Sequence, residues 1–115
     1  MASDCIFCKI ASGELPSEKL HQGNGVFVIA DINPQAPVHL LVIPVQHIDS
    51  IAEIRDDNAF LIESMGLMAK CAAEAAGVAE SGYRLVVNTG KNGGQSVPHL
   101  HMHLLAGHQL SGQMG

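Results

Sequence analysis

The stretch GGQSVPHLHMHLL, residues 93–105, carries three histidines in strict alternation: His99, His101 and His103, separated by Leu100 and Met102 and followed by Leu104. A period of two is the mark of an extended strand with one buried face. On such a strand the three imidazoles point the same way, each roughly 6.5–7 Å from the next. The leucines and the methionine then turn to the opposite face, against a core. Just upstream, Gly93, Gly94, Gln95, Ser96 and Val97 form a turn whose backbone N–H groups can converge on an anion. Burying three neighbouring imidazoles costs several kcal/mol unless each is hydrogen-bonded, so the three are expected to line a cleft. Imidazoles facing an anion cradle point to chemistry on phosphorus.

The flanking sequence supplies the scaffold. Apolar residues around Cys5, Cys8 and Ile10 predict an N-terminal segment docked on the domain, punctuated by Gly13 and Pro16. Asn24-Gly25 is a strong hairpin signal. It leads into a buried strand over 26–30 that ends at Asp31. A Pro-rich loop, 33–37, then feeds a second buried strand over 39–43, with His39 at its head, Pro44 closing it and His47 just beyond. Asp49 or Ser50 is placed to cap a short helical turn through Ile54. Asp56 and Asp57 supply the acidic first turn of a long helix running to about residue 76, with Gly77 as its left-handed stop. Leu61, Met65, Met68, Ala72 and Ala75 make one apolar stripe, and Phe60, Leu67 and Cys71 a second beside it. The second stripe suits either more core or the same helix of another copy; Cys71 is expected to be a small core residue. A third strand is expected over 82–88. The tail, 106–115, has no periodicity, and His21 and His108 are expected to be exposed. Strands joined by hairpin-type turns around one long helix read as α+β with an antiparallel sheet.

At 115 residues the chain is expected to be one domain. Its residues are 47% apolar but only 3% aromatic, with no Trp, which predicts an aliphatic core. The net charge of −5 and the scattering of six Lys and Arg argue against nucleic-acid binding, which leans on basic patches and stacking aromatics. A bound phosphate must therefore be held by local dipoles and histidine. No apolar run approaches a membrane span, and the N-terminus MASDCIFCKI lacks the basic and hydrophobic regions of a secretory signal. Three cysteines, an odd number, fit a reducing cytoplasm with free or metal-bound thiols.

Two chemistries compete for the histidine stretch. Three histidines can hold a catalytic zinc, but the first and last lie too far apart on an extended strand to share a tetrahedral ion, and a glycine-rich anion turn has no use beside one. Nucleophilic catalysis fits better. Neutral imidazole attacks phosphorus well, and the resulting phosphorus–nitrogen bond hydrolyses afterwards. Cys5-x-x-Cys8 is a separate zinc signal.

The full run from His99 to Leu105, GQSVPHLHMH from Gly94, and DINPQAPVHLLVIPVQHI from Asp31 together resemble the histidine triad superfamily, in its histidine-triad nucleotide-binding protein branch. The likeness runs from Cys5 to about Gln109. It implies a single domain of that kind over 1–115, with segment 1–15 docked on it and 106–115 as a C-terminal tail. The implied fold has about five antiparallel strands, one long helix and a short helix. A homodimer is implied too, with its two sheets joined and its long helices packed across the interface. The resemblance implies His101 as the nucleophile. It places His103 and Asn88 on the α-phosphate, Gly94, Gln95, Ser96 and Val97 around that phosphate, and Ser96 also at the leaving group. His39 would support the nucleophile and Asp31 would accept the ribose hydroxyls. Ile6, Phe7, Ile10, Ile29 and Ile32 would enclose the base. The implied reaction is hydrolysis of a purine nucleoside 5′-phosphoramidate, an AMP or GMP derivative, through a nucleotidyl-histidine, with no metal needed for the chemistry.

Some bacterial relatives with the same Cys-Ile-Phe-Cys start look like zinc binders, which here implies a structural site of Cys5, Cys8, His47 and His99. The chain departs from many relatives in its tail, Gln113-Met114-Gly115, which lacks the Trp they use to reach the partner's site. The alternatives are a dinucleoside polyphosphate hydrolase and, in a different class, a nucleotide-binding regulatory module with vestigial chemistry.

Overall fold

The computed structural model describes residues 4–114; residues 1–3 of the expected N-terminal segment and 115 of the expected tail lie outside the described residues. In chain order the elements are helix α1 (Ile6–Ser12), strands β1 (His21–Gly23), β2 (Val26–Ala30) and β3 (Val38–Pro44), a 3-10 turn (Ile51–Glu53), helix α2 (Phe60–Ala75), and strands β4 (Tyr83–Val86) and β5 (Met102–Ala106). The strands form one five-stranded sheet in the order β1-β2-β3-β5-β4, antiparallel at every step. The architecture is the α+β arrangement expected, with β5, last in sequence, inserted between β3 and β4.

The hairpin joining β1 to β2 is the Asn24-Gly25 turn, with φ of 53° and 81° at its two central residues. Two positive φ values match the right-handed twist of the flanking strands. β2 and β3 are continuous apolar runs because both their faces are covered. On one face Val26, Val28, Leu40, Val42, Leu104 and Ala106 pack against Leu61, Met65, Ala69, Ala72 and Ala73 of α2. On the other, Phe27, Ile29, Leu41 and Ile43 pack against Phe7 and Ile10 of α1. Seven residues are too few for a stable isolated helix, so α1 depends on that docking. Its ends are set locally: the Cys5 thiol accepts from the Cys8 N–H at 3.4 Å, and Gly13, at φ 86°, closes it.

Several elements differ from expectation. Helix α2 starts at Phe60, not at Asp56 and Asp57. The Asn58 side chain accepts from the Arg55 N–H and donates to the Glu53 carbonyl, holding 56–59 in turns. Only one stripe of α2 is core. Phe60, Leu67, Cys71 and Ala75 are exposed and Met68 is half-buried, since the helix meets the sheet along a single face. Cys71 is therefore not a core residue. The third strand is short, and Ala106 belongs to β5 rather than to the tail. His21 is half-buried because it pairs with Val28 in the β1–β2 hairpin, whereas His108 is exposed. Gly77, at φ 76°, follows α2 as expected. Among the described residues no helix is long and apolar enough to cross a membrane.

Candidate active site and metal centre

The histidine stretch is a strand only from Met102 onward. The His99 N–H turns back to the Val97 carbonyl at 2.8 Å, a γ-turn about Pro98, and the Leu100 N–H bonds to the Ile48 carbonyl at 2.7 Å. These bonds draw residues 99–101 out of the ladder. Leu100, Met102 and Leu104 nevertheless face the core, as alternation requires. The histidines divide. His99 is fully buried, His101 is 4% exposed, and His103 is half-buried. They do not line one cleft: the His99 ring turns to the thiols of Cys5 and Cys8, whereas His101 and His103 stay together with ring centroids 5.1 Å apart.

Hydrogen-bond partners assign the ring protons. His101 Nδ1 lies 2.7 Å from the His99 carbonyl oxygen, which can only accept. The proton is therefore on Nδ1, and Nε2 carries a lone pair with no hydrogen-bond partner among the described residues. The Gln35 N–H, which can only donate, lies 2.9 Å from His39 Nδ1. His39 therefore bears its proton on Nε2 and donates to His103 Nδ1 at 2.9 Å, with Asp31 Oδ2 at 3.3 Å. That leaves His103 with its proton on Nε2. Its pKa is lowered by burial and by the neighbouring rings of His101 and His39. The pair thus offers a bare nitrogen on His101 and an N–H donor on His103. Register explains the meeting of His39 and His103. Leu41 stands opposite His103 and His39 opposite Leu105, so the two rings are diagonal neighbours on one face of the β3–β5 pair.

The Gly93-Gly94 segment forms a turn in which both glycines are required. A side chain at Gly93 would collide with the Thr89 carbonyl, and Gly94 has φ 77°. Asn88 donates to the Gly93 carbonyl at 2.7 Å. The Gln95 side chain accepts from the Gly90 N–H and donates to the Asp49 and Val97 carbonyls, so it braces the turn from within instead of offering a free amide. The N–H groups of Ser96 and Val97 have no protein acceptor among the described residues, and Ser96 is exposed. Phe7, Ile10 and Ile29 are buried together in the α1 face, while Ile6 and Ile32 are exposed, Ile32 at 89%. Asp31 spends one oxygen on the Asn33 N–H at 2.8 Å and turns the other to His39. Two surface hollows, of about 620 Å³ beside Tyr83, Arg84 and His108 and about 270 Å³ beside Lys19 and Phe27, are not lined by His39, His99, His101 or His103.

A second constellation joins Cys5, Cys8, His47 and His99, whose ligand atoms all lie within 4.8 Å of one another. Cys5 Sγ is 3.1 Å from His99 Nδ1, and Cys8 Sγ is 3.2 Å from His47 Nδ1 and 3.6 Å from His99 Nδ1. Tetrahedral zinc spaces sulfur and nitrogen ligands by roughly 3.3–3.8 Å, given its bond lengths. Both rings are also turned correctly. His99 Nε2 donates to the Pro44 carbonyl at 2.8 Å, and His47 Nε2 to Asp49 Oδ1 at 2.8 Å, so both Nδ1 lone pairs converge. Burial lowers the His99 pKa, which keeps the ring neutral as a ligand must be. Burial, the hydrogen bond with Cys5 and the charge of Cys5 push Cys8 up to about 11, so a thiolate pair needs a cation here. The residues fit a zinc ion. Asp31, His39 and His103 also cluster, but there His39 Nε2 bears a proton and cannot ligate.

Two contributors to these sites are not expected from the sequence. Asp49, expected as one of two candidate caps, instead orients His47, and its position two residues along is the signal the sequence offers. The main-chain N–H of Gln35 sets the His39 tautomer, and a backbone donor leaves no signal in residue identity.

The sequence profile of the HIT domain matches residues 12–110. A purine nucleoside phosphoramidase of Escherichia coli (strain K12) is 43% identical over 110 residues, spanning 96% of this chain and 92% of that protein. Protein HitA of Neisseria gonorrhoeae is 42% identical over 102 residues, spanning 89% of this chain and 94% of its own. Among solved structures, a HIT family hydrolase from Clostridium thermocellum superposes with a TM-score of 0.95 at 44% identity and 99% of each chain. One from Legionella pneumophila superposes at 0.93 with 45% identity, over 97% of this chain and all of that one.

Proposed function

The chain belongs to the HIT domain family and is an enzyme of its hydrolase kind, and from that premise we propose that it hydrolyses purine nucleoside 5′-phosphoramidates through a covalent nucleotidyl-histidine. The observation that carries this reading is the single acceptor of His101 Nδ1, the His99 carbonyl, which leaves Nε2 as a bare nucleophile. His101 Nε2 attacks the α-phosphorus and the phosphorus–nitrogen bond to the leaving amine breaks. The amine leaves with a proton drawn from water through the Ser96 hydroxyl, while the Nε2–H of neutral His103 donates a hydrogen bond to an α-phosphoryl oxygen. Free N–H groups of Ser96 and Val97 hold the phosphoryl oxygens while charge builds on them. Water then displaces His101, the nucleoside monophosphate departs and the ring is regenerated. Asn88 and Gln95 act by shaping the turn that carries these donors. Asp31, with Asn33 tied to one of its oxygens, receives the ribose. Phe7, Ile10 and Ile29, with Ile6 and Ile32 at the rim, receive the base.

The Cys5, Cys8, His47 and His99 set holds a structural zinc, which supplies a cross-link between α1 and the histidine stretch and no chemistry to the reaction. We also propose a homodimer, a reading supported by β4, a sheet edge unpaired among the described residues with Leu85 41% exposed, and by Leu67 on α2, 58% exposed. We assign residues 1–115 to one unit and the protein to the cytoplasm, a reading supported by its three free cysteines.

The test is turnover of adenosine 5′-phosphoramidate beside a diadenosine polyphosphate, with rapid acid quenching and mass spectrometry of the protein. Faster release of the amine and a nucleotidyl group on His101 are expected. Preference for the polyphosphate would replace the phosphoramidase reading with the alternative hydrolase. Tight nucleotide binding without turnover would replace it with the regulatory one.

A further inference from the structure

His99 belongs to two constellations at once. Its ring nitrogen Nδ1 faces the thiols of Cys5 and Cys8, and its main-chain carbonyl holds the Nδ1–H of His101. A second route leaves the same cluster through His47, whose Nε2–H is held by Asp49. The Asp49 carbonyl in turn accepts from the Gln95 amide that braces the anion turn. A third is a wall. The Phe7 ring, on the helix whose N-cap is Cys5, stands edge-on to both His99 and His101, with centroids 5.7 and 5.2 Å away. Three contacts thus lead from one four-ligand cluster to the nucleophile or to the turn beside it.

The contacts are also of a kind that depends on filling the cluster. Residues 99–101 lie outside the β5 ladder and are held by the γ-turn at Pro98, the Ile48 carbonyl and the contacts of the His99 side chain. Without a cation, the His99 Nδ1 lone pair meets only thiols, which are weak and poorly directional donors. With one, the ring is fixed from both sides, by the metal at Nδ1 and by the Pro44 carbonyl at Nε2.

We propose that the Cys5–Cys8–His47–His99 cluster, when it holds zinc, is a positioning device for the reaction, fixing the His99 carbonyl and the Phe7 ring that together orient the His101 imidazole. The proposal rests on the phosphoramidase reading for its kinetic arm, and its spectroscopic arm stands without it. His99 is a positioning residue, acting through its carbonyl on the ring that reacts.

The experiment uses the full chain in three forms: zinc-loaded, metal-depleted by a chelator, and loaded with cadmium, a larger ion for the same donors. Nitrogen-15 signals of the His101 ring report which nitrogen bears the proton and how the ring is held. Circular dichroism reports the fold, and kcat and KM for adenosine 5′-phosphoramidate report catalysis. One zinc per chain is expected, with His101 in the single Nδ1–H form. Depletion is expected to mix the His101 ring forms and to lower kcat by about tenfold or more, the range seen when a group orienting a site is lost, with KM within about twofold. If depletion unfolds the chain, the cadmium form carries the comparison: its His101 signals should shift and its kcat fall several-fold while the fold is kept. Failure to bind zinc would overturn the proposal. So would His101 signals and kcat that are the same in every folded form while only the melting temperature changes. A zinc-loaded protein without turnover would instead overturn the phosphoramidase reading and leave the His101 signals to decide.

Discussion

His39 Nε2 stands 2.9 Å from His103 Nδ1, although 64 residues separate them in sequence. The Gln35 N–H on the far side of the His39 ring makes this contact directional: the proton on Nε2 points at His103, and His103 presents its own N–H outward. One backbone amide thereby sets the protonation pattern of two side chains, and the second presents its N–H as a hydrogen-bond donor beside the nucleophile.

Replacing His101, which belongs to neither core cluster, by Ala removes the nucleophile. Turnover of the phosphoramidate should fall by at least about a thousandfold, the scale of losing a covalent catalyst, while nucleoside monophosphate still binds. Steady-state kinetics and titration calorimetry check the two halves, and retained turnover would mean that another group attacks.

His39→Ala leaves His103 free to hold its proton on either nitrogen. We expect kcat to fall by roughly 10²-fold, the lower range for losing a hydrogen bond to charge that develops in the transition state, with KM nearly unchanged. Gln35→Pro removes the main-chain donor, along with a side-chain bond to the Asn33 carbonyl that Gln35→Ala removes alone, and should reproduce part of the loss where Gln35→Ala does not. Measuring kcat and KM for these variants checks this, and equal effects on the two parameters would point to a binding role.

The lowered pKa of His103 makes stability depend on pH. The unfolded chain takes up this proton near the ordinary histidine pKa of about 6.5, whereas the folded chain resists it. Between the folded and unfolded pKa the unfolded state therefore binds more protons, and stability rises with pH across that window and levels off above it. The urea midpoint should be lower at about pH 5 than at about pH 7.5, and His103→Asn should flatten part of the slope. An unchanged slope would assign it to other groups.

Phe27 is 1% exposed and sits at the centre of the α1 face of the sheet, between Ile29 and Ile43. Phe27→Ala should cost about 3–5 kcal/mol in unfolding free energy, from lost burial and the cavity left behind. Urea denaturation measures it. A cost below about 1 kcal/mol, the range of surface substitutions, would mean that α1 collapses into the gap.

If the edge of β4 and the outer face of α2 bury a second copy, Leu67→Glu with Leu85→Glu should leave a monomer, since a carboxylate in an apolar interface is costly unless paired. Sedimentation of wild type and variant decides between one chain and two. A monomeric wild type would remove the homodimer from the proposal.

Alternation along the sequence placed Leu100, Met102 and Leu104 against the core, Asn24-Gly25 at a hairpin, Ser50 at a cap and Gly77 at a helix end. Each of these rests on the chemistry of neighbouring residues: side chains on a pleated chain change sides with each residue, and only certain residue types tolerate left-handed backbone or accept from a free N–H. Of the metal-centre donors, the chain's own spacing signalled only Cys5 and Cys8, and His47 and His99 were implied by the resemblance to relatives with the same Cys-Ile-Phe-Cys start. What only the tertiary structure decided was direction. His99 turns away from His101 and His103 because its backbone is bound to Val97 and its neighbour to Ile48, so the triad serves two centres instead of one cleft. Cys71 faces solvent because a single straight helix can bury one stripe against one sheet. The ring protons of His39, His101 and His103 were assigned by a backbone amide and a carbonyl brought together by folding, and main-chain groups are the same at every position of a sequence.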